Sequence, residues 1–157
     1  MISKIFSFFL ICFLTISKGQ AMSISDVGKV CTFSEVKAKV TYNGKPAIGA
    51  KVTQITKFKS AVENHTSTDE AGIFSFPATY EKSFKKLLPM EIVISQQILI
   101  DYNGEKFEVW ANGKMNTEEN SELGGIPINL TCELTDAPET HRTAGSLVLT
   151  NCRWEKK

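Results

Sequence analysis

Histidine and tryptophan are scarce in this 157-residue chain, with two of each, and the shortage limits the chemistry available to it. No G-x-S-x-G, no H-E-x-x-H and no phosphate-cradling glycine loop occurs, so the common nucleophile–base and metal-hydrolase arrangements lack candidate parts. Neither His65 nor His141 falls at ligand spacing to a cysteine and there is no C-x-x-C, which excludes an ordinary zinc site. An excess of either charge is missing too. The 18 basic side chains stand against 17 acidic ones, which excludes a binder of nucleic acid that relies on bulk positive charge. Internal repeats and low-complexity tracts are absent. With 42% hydrophobic and 22% charged residues the chain is no disordered tail, and its length suits one domain.

One segment stands apart in composition. Met1–Lys4 is a short basic start, Ile5–Ile16 (IFSFFLICFLTI) is apolar, and Gly19 and Ala21 place small residues where a signal peptidase needs them. Twelve residues at about 1.5 Å each span about 18 Å, short of a hydrocarbon core of roughly 30 Å. The expectation is a cleaved signal peptide, residues 1–21, ahead of a single domain, residues 22–157, that is periplasmic or secreted and keeps no stable membrane anchor. An uncleaved N-terminal anchor is the alternative.

Three cysteines follow that segment: Cys31, Cys132 and Cys152. In an oxidising compartment two of them should pair. Cys132 and Cys152 sit in successive strand-like segments and are the preferred pair, with Cys31–Cys132 and Cys31–Cys152 left open. The remaining thiol is expected to be a buried small hydrophobe.

The patterning is that of strands. Ser34–Tyr42 alternates, with Val36, Ala38, Val40 and Tyr42 on one face, and Asn43-Gly44 turns the chain. Ala50–Phe58 is a second strand with Val52 and Ile55 as core positions, and Lys59–Thr68 is polar and loop-like. Thr68-Asp69-Glu70-Ala71-Gly72 reads as a turn before the short strand Ile73–Phe76. Glu81–Leu88 carries the one helical pattern, ended by Pro89. Ile98–Tyr102 and Glu105–Trp110 flank Asn103-Gly104, a two-residue hairpin turn. The register it implies pairs Ile100 with Phe107, Ile98 with Val109, and Asp101 with Lys106. Ala111–Gly125 is expected to be an extended loop, and Ile128–Leu134 and Ser146–Cys152 two closing strands. About seven strands and one short helix predict a mainly β fold, an antiparallel β-sandwich.

Some of these residues carry a resemblance. Val36-x-Ala38-x-Val40, then Asn43-Gly44-Lys45-Pro46-Ala47-Ile48-Gly49-Ala50-Lys51-Val52, then Thr68-Asp69-Glu70-Ala71-Gly72-Ile73-Phe74-Ser75-Phe76 resembles the carboxypeptidase-regulatory-like modules of the transthyretin-like sandwich. The likeness covers residues 36–76, implies that Ig-like sandwich, and implies a structural or interaction role. The remainder is similar to small exported bacterial proteins of unknown role. Hydroxyisourate hydrolases of the same scaffold carry a C-terminal Tyr-Arg-Gly-Ser; this chain has Cys152-Arg153-Trp154-Glu155-Lys156-Lys157.

No catalytic, cofactor-binding or metal-binding residue is assigned, and His65 and His141 are expected in solvated loops. The acidic run Asn116–Glu122 lacks the alternating oxygen ligands of an EF-type calcium loop. Its Glu118, Glu119 and Glu122 are expected instead to form a charged contact surface. Trp110 and Trp154 are the candidate anchors of that surface where exposed; otherwise Trp110 caps the hairpin and Trp154 packs over a sandwich end. The function expected is an exported, non-catalytic module that binds a protein partner, with an immunity-type inhibitor of a periplasmic antibacterial toxin as its concrete form. A small hydrolase-like enzyme with an unrecognised site is the alternative.

Overall fold

The computed structural model describes residues 28–84, 88, 91–143 and 146–155. The expected signal peptide lies outside the described residues, as do residues 85–87 of the expected helix. Among the described residues no helix is long and apolar enough to cross a membrane.

The fold is mainly β. Its strands are β1 (Lys29–Phe33), β2 (Val36–Tyr42), β3 (Lys45–Pro46), β4 (Lys51–Lys57), β5 (Ala61–Ser67), β6 (Ile73–Phe76), β7 (Thr79–Lys82), β8 (Ile94–Tyr102), β9 (Glu105–Lys114), β10 (Ile128–Glu133), β11 (Glu139–Thr143), β12 (Ser146–Thr150) and β13 (Cys152–Arg153). A six-stranded sheet runs β11-β12-β9-β8-β4-β5. A second runs β13-β10-β2-β3 with β6 also on β2, and β1 pairs β7. The ladders are antiparallel except β10 on β2, which is parallel. One apolar cluster draws on both larger sheets: Val36, Ala38 and Val40 of β2 and Leu130 of β10 meet Val52, Ile98, Ile100, Trp110 and Val148. A smaller cluster joins Val30, Ile92 and Ile94.

Turn chemistry places the strands. Asn103 and Gly104 take positive φ, 52° and 79°, as a type I′ turn requires. Asp69 accepts hydrogen bonds at Oδ1 from the backbone N–H of Ala71 (2.9 Å) and Ile73 (2.8 Å), folding the chain into β6. Gly72 is required there: its φ is +75°, and a Cβ would lie 2.4 Å from the Val40 carbonyl oxygen.

The expected hairpin register holds from Tyr102–Glu105 through Ile100–Phe107 to Leu99–Glu108, and then shifts. Ile98 faces Trp110 instead of Val109, because β9 bulges between them. Two consecutive residues, Val109 and Trp110, are therefore both fully buried.

Other expectations need correction. Thirteen strands stand among the described residues where about seven were expected. Glu81 and Lys82 are strand residues paired with Val30 and Lys29, so the expected helix does not begin at Glu81. The polar segment after Lys59 is a strand, β5, held by seven successive pairs to β4. Ile55 lies on the outer face of β4, where Val52, Gln54 and Thr56 point inward. Ala111–Lys114 continues β9, and the loop beyond it contains a 3-10 turn, Ser121–Leu123. The additional strands β3, β5, β7, β11 and β13 are short or polar, so burial imposes no alternation on them, and β1 is buried at four successive residues and so shows none either.

Candidate functional site

Cys132 and Cys152 are directly opposed on β10 and β13 and form a disulfide, with Cα atoms 4.0 Å apart. Cys31 is a free, buried thiol on β1. Burial pushes its pKa above the ordinary thiol value against the pull of Lys114 and Ser34. A thiol of that kind is a poor nucleophile.

Glu122 is not a surface residue. It is fully buried, and so is its ion-pair partner Lys114, with Nζ to Oε1 at 3.0 Å. The same Oε1 accepts from the Ser34 N–H (3.0 Å) and Gln96 Nε2 (2.9 Å), and Oε2 accepts from Ser34 Oγ (2.7 Å). Burial pushes the Glu122 carboxyl up, but the Lys114 charge and the hydrogen bonds from Gln96, Ser34 and Lys114 outweigh it and hold the pKa below the ordinary value. Gln96 also donates to the Thr32 carbonyl and accepts from Asn112 Nδ2, each at 2.8 Å. This cluster fastens the 115–125 loop onto β1, β8 and β9; the Cys31 N–H bonded to the Thr117 carbonyl at 2.9 Å adds to it. It is inaccessible to a partner, so Glu122 leaves the expected contact surface. Sequence reading missed Lys114, Ser34, Gln96 and Asn112. A signal for Gln96 was present, since Ile94-x-Gln96-x-Ile98-x-Ile100 puts it on the inward face of β8.

Trp110 is fully buried in the core and no surface anchor. Trp154 is the opposite case. It is only half-buried, and its ring meets the His141 ring edge-on, with centroids 5.0 Å apart and planes at 75°. It borders a cleft of about 460 Å³ lined by Asp136, Glu139, His141, Asn151 and Arg153 among others. That cleft opens between β11 and β13, the outer strands on one side of the two larger sheets. Arg153 and Asp136 form an exposed ion pair at 3.2 Å on its rim.

A more open depression that Trp154 also borders reaches Asn129, and Asn129 also lines a depression with Glu119. Trp154 and Glu119 thus share one continuous surface. Glu119 accepts from the Tyr80 hydroxyl at 2.7 Å, a bond that pushes the Tyr80 phenol up to about 12. Glu118 is exposed nearby, its N–H bonded to Asn116 Oδ1 at 2.8 Å. His65 and His141 are not loop residues. They lie on β5 and β11, opposite edges of the six-stranded sheet, and cannot act together. Among the described residues no group of three His, Cys, Asp or Glu is placed to hold a metal ion.

A family model described as a domain of unknown function (DUF6795) matches residues 36–137. The matched span takes in Lys114, Glu118, Glu119, Glu122 and Cys132, and stops short of Cys152 and Trp154. No curated protein matches, and no solved structure does.

Proposed function

The chain belongs to the DUF6795 family, and from that premise we propose that it is an exported, non-catalytic module that binds a protein partner across the surface around Trp154. In this reading the two larger sheets form a transthyretin-like β-sandwich, and its open side carries the contact. One observation carries the proposal: a half-exposed tryptophan, braced by His141, borders a cleft between two sheet edges and is continuous with acidic Glu119. Aromatic anchors in partly desolvated pockets with a charged rim are the usual seats of interface energy.

The concrete form is an immunity-type inhibitor that blocks an antibacterial toxin in the periplasm. The leader-like residues 1–21, the disulfide and the acidic loop support it. The test is protection: where a toxin gene adjoins this one, periplasmic production of the protein should rescue cells exposed to that toxin, and Trp154→Ala should abolish the rescue while the protein stays folded. Full rescue by Trp154→Ala would remove this surface from the account. A metabolic operon with no toxin gene would favour the hydrolase-like alternative, with His141, 3.9 Å from Glu139, as its base.

A further inference from the structure

Among the described residues strand β5 is the outer strand of the six-stranded sheet, with no neighbour beyond it. It is seven residues long, pairs with β4 without a bulge from Lys51–Ser67 to Lys57–Ala61, and is mostly exposed. Edge strands are normally blunted by charged side chains, lysine above all, by proline, a bulge or shortness. The sequence AVENHTS has no lysine or proline, and its one carboxylate is Glu63. The second large sheet, by contrast, ends in shorter strands: two-residue β13 on one side, and two-residue β3 with four-residue β6 on the other.

We propose that β5 is a self-association edge, where a second copy of this chain adds its own β5 antiparallel and joins two six-stranded sheets into one. The choice of a second copy rests on register and charge. A two-fold axis perpendicular to the sheet keeps the sheet faces matched across the joint, so the ladder must be centred on a residue. Centring on Glu63 sets two glutamates against each other, and centring on His65 sets two histidines against each other. Centring on Asn64 instead sets Glu63 of each copy opposite His65 of the other, with Val62 opposite Thr66 and Ala61 opposite Ser67.

Glu63 and His65 already share a face, with Nε2 to Oε2 at 3.9 Å within one copy. Thr53 Oγ1, 3.2 Å from His65 Nδ1, fixes the ring on that face. The joint therefore closes a ring of four groups in which carboxylate and imidazole alternate. Of these three central registers, this is the one that opposes unlike groups.

The experiment uses the mature chain in sedimentation velocity and equilibrium from micromolar to submillimolar concentration. The wild type should show reversible dimers. His65→Glu puts two carboxylates face to face at two symmetric places, and Glu63→Lys removes both carboxylates and leaves each imidazole facing an ammonium group, so each should weaken dimerisation about tenfold or more. Mixed together, the two variants should associate with each other in preference to themselves. The lysine introduced at position 63 of one then faces the glutamate introduced at position 65 of the other, and the native His65 of the first faces the native Glu63 of the second. Circular dichroism and thermal melting of each variant exclude unfolding as the cause. A wild type that stays monomeric throughout, open-ended filaments, or dimers indifferent to both substitutions and to mixing would overturn the proposal. A variant that fails to fold is replaced by the swap Glu63→His with His65→Glu, which should dimerise like the wild type.

Discussion

A carboxylate without solvent exposure persists in a folded protein only if its charge is matched and its lone pairs are filled, and Glu122 has both: Lys114 at 3.0 Å and donors from Ser34 and Gln96. Removing one partner strands the other. Lys114→Met should cost about 3–5 kcal/mol in chemical denaturation, whereas replacing both Lys114 and Glu122 with apolar residues of like volume should recover much of it. Glu133 is the surface counterpart. Its carboxylate accepts from the Asn43 and Gly44 N–H groups (both 2.9 Å), Thr41 Oγ1 (2.8 Å) and Thr135 Oγ1 (2.7 Å). Slight burial pushes its carboxyl up, but the bonds from Thr135, Gly44 and Thr41 prevail and hold the pKa at about 2. Both glutamates are depressed on folding, so their contribution is complete above the unfolded carboxylate value near 4.3. It is lost as pH falls, in the case of Glu133 as pH approaches about 2. Denaturation midpoints followed from pH 5 down to about pH 2 should therefore fall, and should fall less steeply in Glu133→Gln. Cys31, buried and raised in pKa, should resist alkylation in the native protein and react once in denaturant.

Strands with one face in the core declare themselves by alternation, and β2, β6 and β10 were legible for that reason: Val36, Ala38, Val40, Phe74, Phe76, Ile128 and Leu130 are all buried as their spacing requires. The Asn103-Gly104 turn likewise set its own register as far as Leu99–Glu108. The bulge beyond it was illegible, since Val-Trp reads equally well as one inward and one outward residue; the tertiary contact that favours two inward residues involves β12, where Thr150 Oγ1 donates to the Val109 carbonyl at 2.6 Å. The bulge changes the mutational ranking. Trp110→Ala should cost about 3–5 kcal/mol, more than Phe107→Ala, because Phe107 is only partly buried against the core. Lys106→Ala, which breaks an exposed pair with Asp101 at 3.5 Å, should cost under about 1 kcal/mol. The cysteine pairing was readable from strand adjacency, and reducing the Cys132–Cys152 link should lower stability by about 3 kcal/mol on loop entropy. Edge strands β5 and β11 were not readable, because polar residues on both faces carry no period.

At the scale of the whole molecule, the sheets bring together residues that are far apart in the chain and separate others that are near. Trp154 and Glu119 come onto one surface through Asn129, while Trp110 and Glu122 withdraw into the interior. None of that division could be read locally: Glu119 and Glu122 are three residues apart, and only the docking of the 115–125 loop on Lys114 sends one outward and the other in. Charge reversal at Glu118 and Glu119 should slow association with the partner and flatten its dependence on salt, with the fold unchanged. The central claim is that the Trp154 surface contacts another protein. Its most direct test is a photoreactive phenylalanine analogue placed at position 154 of the full chain and irradiated in the native host. The account predicts one discrete protein adduct, identifiable by mass spectrometry and missing when the same probe stands at Lys106 on the exposed hairpin. No adduct from position 154, or the same adducts from both positions, would contradict it.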